Sequence, residues 1–199
     1  MQIQSGYRRK FAVLFLYALA AMRLAAATPP DFGIDLNGQP IRQLAGPGIH
    51  VVVLIFAASD CPISNRYVPE IARLNAEFAA QGVRFWWVFP NAGDTAAVVE
   101  KHDADFGIRE SALLDPRQSL VAMAHATITP EVAIFAVEGR ELREVYHGRI
   151  DDRYITLGQE RPRPEHHELE SAIAAELAGK PVPQPGGPPV GCSIIFLQK

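Results

Sequence analysis

The feature that most constrains the fold is an unbroken apolar run, HVVVLIFAA at 50–58. More than half of its residues are β-branched or aromatic, which favours a strand, and it lacks the apolar–polar alternation of a strand with one solvated face. Such a strand is buried on both faces, so it requires a sheet that is covered by helices on both sides. A second run of this type, VRFWWVFP, follows at 83–90, and we expect Trp86 and Trp87 on opposite faces of it.

Helical patterns separate and follow the predicted strands. Apolar residues recur at helical spacing over 62–81, and Gly82 is predicted to end that helix. Further helices are predicted over 92–107, 117–126 and 164–180. Alternation of strands with helices predicts the α/β class, with a central mixed β-sheet flanked by helices. Right-handed crossovers would place the first two long strands side by side and parallel.

Shorter elements are predicted around this centre. An NG turn between two short apolar-alternating runs predicts an N-terminal β-hairpin at 32–44. A short strand is predicted at 112–115, and two strands around an EGR turn are predicted over 127–148. Residues 149–164 are polar and proline-rich, which indicates a surface loop. The C-terminal helix is followed by a Pro/Gly-rich tail over 181–199, which predicts an extended, flexible arm.

The first residues of the chain have the layout of a targeting segment. YRRK at 7–10 precedes the apolar FAVLFLYALAAM at 11–22, and small residues offer a cut after Ala27. This order predicts a secretory signal peptide over 1–27, with an uncleaved N-terminal anchor as the alternative. We therefore expect an exported protein of the periplasm or another extracytoplasmic space, with no membrane span after cleavage. The formal net charge of −3 and the lack of a basic run argue against a nucleic-acid partner.

Cys61 lies where the first long strand gives way to a helix, in SDCPISNRYVPE at 59–70. A cysteine at a helix N-terminus faces unpaired N–H groups, which lower the pKa of a free thiol from about 8.5. Pro62 suits the first helical turn because it lacks the N–H that would be unpaired there. We therefore predict a nucleophilic thiolate, with an inert buried thiol as the alternative. Ser64 is a candidate hydrogen-bond donor to that thiolate or a plain first-turn residue, and Arg66 is either a nearby positive charge or a solvated surface residue.

Three segments match the pattern of a known superfamily. FAASDCPIS at 56–64 is similar to its active-site cysteine junction, TITPEVAIF at 127–135 to its cis-proline loop and next strand, and FGIDLNGQPIRQL at 32–44 to its N-terminal hairpin. In these segments the chain resembles the thioredoxin-like superfamily, and within it exported redoxin proteins related to alkyl hydroperoxide reductases and thiol-specific antioxidants. The C-terminal stretch also resembles an extension that one exported subgroup shares. The resemblance implies a redoxin domain of thioredoxin-like fold over 30–180, followed by the tail at 181–199.

The resemblance also implies roles for residues of the site. Pro130 is similar to the cis-proline that faces the active cysteine, and the backbone of Thr129 would pair with an incoming substrate chain. The chain departs from the dithiol pattern, since the segment from Cys61 to Ser64 holds one cysteine only. It departs from peroxiredoxins as well, because Ala58 stands where they usually carry Thr or Ser. A thiol–disulfide oxidoreductase and a thiol peroxidase therefore both stay open.

The second cysteine is Cys192, on the C-terminal tail. Because that tail can return over the surface, Cys192 is a candidate to resolve an oxidised Cys61 through an intramolecular disulfide. A static structural disulfide and a bond to a partner protein are the alternatives. The expected substrates are a protein disulfide or thiol, or a peroxide, with an unidentified thiol electron donor and no separate cofactor.

The non-enzymatic alternative is a metallochaperone or a redox-inactive binding module on the same fold. Copper chaperones with a thioredoxin fold use two cysteines and one histidine near the cis-proline loop. By that resemblance, Cys61, Cys192 and His125 would form a copper site, and soft thiolates with imidazole suit Cu(I).

Charged residues cluster in GRIDDRY at 148–154, which holds Arg149, Asp151, Asp152 and Arg153. Such a group can rim a site, but it more often forms surface salt bridges that contribute little stability. We expect the surface role.

Overall fold

The computed structural model describes residues 32–198, in which strands and helices alternate as the sequence predicts. The strands are β1 Val51–Phe56, β2 Val83–Phe89, β3 Ser111–Leu114, β4 Ile128–Thr129, β5 Glu131–Glu138, β6 Glu141–Gly148, β7 Tyr154–Thr156, β8 Gln159–Glu160 and β9 Cys192–Ser193. The helices are α1 Pro62–Arg66, α2 Val68–Phe78, α3 Ala96–Phe106, α4 Ser119–Ala124 and α5 Glu168–Leu177, with a 3-10 turn at Ala79–Gln81.

Five of these strands form the central sheet, in the order β3-β2-β1-β5-β6. β1 runs parallel to β2, and β2 runs parallel to β3. β5 is antiparallel to both β1 and β6, so the sheet is mixed. The predicted mixed sheet and the parallel pairing of the first two long strands are therefore confirmed. All six residues of β1 are buried, which explains why its apolar run shows no alternation.

The sheet separates two apolar cores. The core on one face includes Trp87 and buried residues of α2 and α5, such as Leu74 and Ile173. The core on the other face includes Trp86 and residues of α4 such as Leu120. The two tryptophans thus lie on opposite faces of β2, as the period of a strand requires.

The helix predicted over 62–81 is interrupted in the structure. α1 ends at Arg66, and α2 starts at Val68 with Pro69 in its first turn. Proline has no N–H to donate to the preceding turn and its ring crowds that turn, so it favours a break in the helix at this position. The second helix is followed by the 3-10 turn and ends at Gly82, whose φ of 82° is left-handed as such an end requires.

The N-terminal hairpin is short and attached to the sheet. The N–H of Ile41 donates to the carbonyl oxygen of Gly33 at 2.9 Å, and Ile34 forms a bridge with Pro40. Ile34 also bridges to Leu114 of β3, with N–H···O distances of 3.0 and 2.9 Å. The hairpin therefore extends the edge of the central sheet.

The expectation of a surface cluster in GRIDDRY was wrong for its two carboxylates. Asp151 and Asp152 are each only 3% exposed. The hydroxyl of Tyr67 donates to Asp151 at 2.5 Å, and the N–H groups of Glu165 and His166 donate to Asp152 at 2.7 and 3.0 Å. Buried carboxylates require such donors, and here they fix the loop that contains β7 and β8.

The predicted signal peptide at 1–27 lies outside the described residues. Within residues 32–198, no helix combines the length and the apolar character that crossing a bilayer requires.

Candidate active site

Cys61 lies beyond the end of β1, the middle strand of the sheet, and immediately before α1. Its backbone is extended, at φ −84° and ψ 111°, and it occupies the N-cap position of the helix. Its N–H donates to the carbonyl oxygen of Ala58 at 3.0 Å, and its carbonyl oxygen accepts from the N–H of Asn65 at 3.1 Å. Cys61 is 1% exposed, so a reactant can reach its sulfur only through an opening between the neighbouring segments.

Cys61 and Cys192 form an intramolecular disulfide across 131 positions of sequence. Their Cα atoms are 6.2 Å apart, within the usual range for bridged cysteines. Of the pairings that the sequence left open for Cys192, the structure has the one within the chain. Among the described residues no cysteine is free.

The proline loop lies directly against this bond. The peptide between Thr129 and Pro130 is cis. The carbonyl oxygen of Thr129 is 3.3 Å from the sulfur of Cys61, and Thr129 is fully buried. The loop thus faces the cysteine, in the position that the resemblance implied for Pro130.

The tail returns to this loop as a strand. Cys192 of β9 pairs antiparallel with Thr129 of β4. The hydroxyl of Thr129 donates to the carbonyl oxygen of Cys192 at 3.2 Å, and the N–H of Ile194 donates to that of Thr127 at 3.3 Å. The backbone edge that was expected to receive an incoming chain is therefore occupied by the protein's own tail.

The order of the sheet, a cysteine at the end of its central strand and a cis-proline before β5 together decide the fold. The chain has a thioredoxin-like fold. No protein-family model matches it, and no curated protein matches it significantly.

Solved structures resemble this thioredoxin-like chain over most of its length. An uncharacterized conserved protein from Geobacillus kaustophilus is 25% identical, with a TM-score of 0.71 over 86% of this chain and 91% of that one. A hypothetical protein from Sinorhizobium meliloti is also 25% identical, with a TM-score of 0.70 over 83% and 91%. A secreted Mycobacterium tuberculosis disulfide oxidoreductase is 15% identical, with a TM-score of 0.48 over 74% and 93%.

Glycine is required at position 191, immediately before the tail cysteine. A Cβ atom there would lie 2.6 Å from the carbonyl carbon of Thr129 and 3.0 Å from the nitrogen of Pro130. Real Cβ atoms do not approach backbone this closely. The absence of a side chain at Gly191 therefore lets the tail lie flat on the proline loop of the thioredoxin-like fold.

Ser64 and Arg66 occupy different surroundings. Ser64 is 1% exposed, and within the described part of the chain its hydroxyl has no hydrogen-bond partner. Because the sulfur of Cys61 is in a disulfide, a hydrogen bond from Ser64 to a thiolate stays a prediction. Arg66 is exposed and lines a surface groove with Phe106 and Arg153. Its influence on Cys61 also stays a prediction.

His125 does not join the two sulfurs in a potential metal cluster. It is exposed and adopts a left-handed φ of 52° at the end of α4. Two groups of three potential ligands are found among residues 32–198, and neither contains a cysteine: Glu70, His167 and Glu170, and Asp152, Glu165 and His166. The structure therefore does not assemble Cys61, Cys192 and His125 as the copper alternative requires.

An ion pair behind the proline loop, between a buried glutamate and a partly exposed histidine, was missed by the sequence analysis. Glu131 follows Pro130 directly, and its carboxylate is 2.7 Å from the Nε2 of His147. The same carboxylate accepts from the N–H groups of Thr127 and Ile128 at 2.7 and 3.2 Å. A charged residue at the start of the apolar run EVAIFAV was the signal in the sequence. Glu131 thus anchors the loop that holds both sulfurs.

This ion pair shifts the pKa values of both partners. Burial acts to raise the pKa of Glu131, but contact with His147 and the N–H groups of the loop outweighs burial, and the pKa is lowered. The Glu131 carboxylate raises the pKa of His147, against the opposing effect of burial. Both shifts favour the charged pair.

A polar network holds the loop before Cys61. The hydroxyl and N–H of Ser59 donate to one carboxylate oxygen of Asp94 at 2.5 and 3.0 Å. The amide of Asn65 donates to the carbonyl oxygen of Ser59 at 3.2 Å and lies 2.8 Å from the Nε2 of His102. These residues join the loop after β1 to α1, which contains Asn65, and to α3, which contains His102, so the position of Cys61 is fixed from two sides.

Proposed function

We propose that the protein is a thiol–disulfide oxidoreductase in which Cys61 and Cys192 alternate between a dithiol and a disulfide. The observation that carries this proposal is the bond between Cys61, at the end of the central strand, and a cysteine held on the backbone of Thr129 beside the cis-proline. Thiol chemistry needs two sulfurs that can approach each other and one that external reactants can reach. Cys61 is buried, whereas Cys192 is partly exposed.

The first half of the cycle reduces this disulfide. A thiolate of a dithiol donor attacks the more exposed sulfur, that of Cys192, and the sulfur–sulfur bond breaks. Cys61 leaves as a thiolate at the start of α1. The second thiol of the donor then releases Cys192 as a thiol, so two electrons reach the protein and the donor becomes a disulfide.

The second half passes those electrons to the substrate. The Cys61 thiolate attacks a substrate disulfide, forms a mixed disulfide and expels the other substrate sulfur, which takes up a proton. The thiolate of Cys192 then attacks the sulfur of Cys61, which restores the intramolecular disulfide and releases the second substrate thiol. Ser64 has a buried hydroxyl without a partner among residues 32–198, and we assign it as a donor to the Cys61 thiolate.

A peroxide substrate would yield the same oxidised protein. The Cys61 thiolate would take one peroxide oxygen to give a sulfenic acid, and the Cys192 thiol would condense with it, with loss of water. The intramolecular disulfide is the product of both reactions, so the rates and the intermediates distinguish the two activities, and the final product does not.

The decisive experiment compares the two oxidants on the reduced protein. Equal concentrations of hydrogen peroxide and glutathione disulfide are added, and disulfide formation is followed by alkylation and mass spectrometry. We expect the disulfide to react faster, and a Cys192→Ser variant to accumulate a mixed disulfide on Cys61. Faster peroxide oxidation would make the protein a peroxidase. Full activity in a Cys61→Ser variant would contradict both activities.

A structural disulfide is the competing explanation of this bond. Thiol oxidoreductases have reduction potentials between about −120 and −270 mV, whereas structural disulfides lie below about −300 mV. We expect the bond between Cys61 and Cys192 to be half reduced within the first range, measured by equilibration in glutathione buffers. A bond that stays oxidised through the whole range would be structural.

We also propose that the protein acts outside the cytoplasm. The order of charged, apolar and small residues over 1–27 supports export, and a disulfide persists best in an oxidising compartment. Fractionation of expressing cells, with N-terminal sequencing of the product, tests this. We expect a mature chain that starts at Thr28, and a cytoplasmic full-length product would contradict export.

A further inference from the structure

Two side-chain amides hold the tail beyond Cys192. Asn91 accepts a hydrogen bond from the N–H of Ile195 at 2.9 Å. Gln118 donates to the carbonyl oxygen of Ile195 at 2.7 Å and accepts from the N–H of Leu197 at 3.0 Å. All three bonds reach backbone atoms, while the side chain of Ile195 is 74% exposed. Asn91 and Gln118 can therefore hold an extended chain of any sequence at these positions.

Gln118 is fixed in place by the fold itself. It is 8% exposed and has a left-handed φ of 54°, which is uncommon for a residue other than glycine. Its N–H donates to the carbonyl oxygen of Asp115 at 2.9 Å, and its amide also donates to that of Pro90 at 3.4 Å. Asp115 is fully buried and caps the first turn of α4 with its carboxylate. The amide is thus oriented by contacts that do not involve the tail.

The structure restricts which side chain the tail can carry at three positions only. Gly191 has no room for a Cβ atom, Cys192 carries the reacting sulfur, and Ile194 is 3% exposed in the core on the α4 side of the sheet. Ser193 and Ile195 both face solvent. The pattern that fits is therefore glycine, cysteine, any residue, and an apolar residue.

We propose a peptide-binding groove, which the tail fills while the disulfide is intact. The groove is formed by Thr129, Asn91, Gln118 and the site that the Ile194 side chain occupies. Reduction removes the one covalent tie, so the tail can leave and the groove can bind a substrate protein. The substrate is an extended segment with a disulfide-bonded cysteine that follows glycine and precedes an apolar residue by two positions. This inference rests on the proposed function and specifies its substrate class.

The test follows the reaction of Cys61 with activated peptides, using the full chain with Cys192→Ser. The probe is the octapeptide VGCSIIFL, which repeats residues 190–197, with its cysteine carrying a thiopyridyl group. Attack by the Cys61 thiolate forms the mixed disulfide and releases thiopyridone, whose absorbance gives the rate. We expect Ala in place of the peptide glycine, or Asp at the apolar position, to lower this rate at least 10-fold. Free cysteine with the same leaving group measures the reactivity of the thiolate alone.

The second set of experiments changes residues of the protein and keeps the peptide constant. Adding Gly191→Ala to the Cys192→Ser chain removes the tail from the groove, and we expect about a 10-fold faster reaction with the peptide. Asn91→Ala and Gln118→Asn should lower the ratio of the peptide rate to the free-cysteine rate. Asparagine tolerates the left-handed conformation but is too short to reach the tail. Gln81→Ala changes an exposed amide elsewhere and should leave that ratio unchanged.

The outcomes separate this inference from the proposed function. If the three peptides and free cysteine react with Cys61 at the same rate, the groove is excluded and the oxidoreductase proposal stands. If Cys61 reacts with none of them, both proposals fail.

Discussion

The backbone of Cys192 lies antiparallel to that of Thr129, whose carbonyl oxygen is also 3.3 Å from the sulfur of Cys61. One residue of the proline loop therefore contacts both cysteines. Two sulfurs that are separated by 131 positions in sequence are brought together as an intramolecular pair. Fixing reactants in this way raises their effective concentration, so the oxidation state of the protein depends on how well the tail docks.

Gly191→Ala should weaken the disulfide without altering either cysteine. The added Cβ atom would overlap the backbone of Thr129, so the tail would have to lift from the loop. We expect the equilibrium ratio of disulfide to dithiol to fall at least 10-fold in a fixed glutathione buffer, measured by alkylation and mass spectrometry. Gly46→Ala is the matched control, because a Cβ atom there meets nothing within 4 Å. An unchanged ratio in Gly191→Ala would show that the tail bonds without docking.

The stability of the fold should depend on pH through Glu131 and His147. The folded pKa of Glu131 lies below its usual 4.5, so its contribution is present above about pH 4.5 and is lost as the pH falls through the folded value. The folded pKa of His147 lies above its usual 6.5, so its contribution is complete below about pH 6.5 and is lost as the pH rises through the folded value. The pair therefore stabilises the fold most between about pH 4.5 and about pH 6.5.

Urea unfolding of a His147→Gln variant measures this contribution. We expect the variant to lose about 1–3 kcal/mol at pH 5.5 and less at pH 8.5, because a larger fraction of His147 is protonated at the lower pH. His125→Asn is the control, since His125 is exposed and asparagine accepts its left-handed φ of 52°. Equal losses at the two pH values would mean that the pair does not titrate in this interval.

Two buried tyrosines offer a matched test of the Asp151 loop. Tyr67 donates to the carboxylate of Asp151 at 2.5 Å, and Tyr146 donates to the carbonyl oxygen of Arg149 at 2.7 Å. Burial, reinforced by Asp151, raises the pKa of Tyr67, so the hydroxyl stays protonated. We expect Tyr67→Phe to cost about 3 kcal/mol of unfolding free energy and Tyr146→Phe about 1 kcal/mol, because a carboxylate loses more than a carbonyl. Equal costs would argue against a charged acceptor at Asp151.

The sequence predicted the elements that local pattern determines. The buried strands at 50–58 and 83–90 follow from unbroken apolar runs, and they are confirmed as Val51–Phe56 and Val83–Phe89. The place of Pro130 beside Cys61 followed from a resemblance, because no local pattern distinguishes that proline from one in an ordinary loop. The strand predictions needed only residues close together in the chain.

Contacts between distant segments were not predictable in the same way. The sequence left more than one bonding partner open for Cys192. The path of the tail depends on the fit of Gly191 against Thr129, which the sequence does not show. Asp151 was expected at the surface, because a carboxylate is usually solvated. Its burial depends on a hydroxyl 84 positions away, that of Tyr67. Such pairs become visible only once the fold has brought them together.

Reduction should release the tail, and amide hydrogen exchange can follow this residue by residue. In the oxidised protein the N–H groups of Ile194, Ile195 and Leu197 are bonded to Thr127, Asn91 and Gln118 respectively. These acceptors lie on loops outside the tail, so their bonds to it open together when the tail leaves. We expect at least a 10-fold faster exchange at the three amides after reduction, measured by NMR.

The control for tail release lies within the same molecule. Leu54 and Ile134 are fully buried on adjacent central strands, and their amides should exchange at the same slow rate in both redox states. Faster exchange at these sites as well would indicate a general loss of stability rather than tail release. Unchanged exchange at the three tail amides would show that the tail stays docked without the disulfide, and a substrate chain would then have to bind elsewhere.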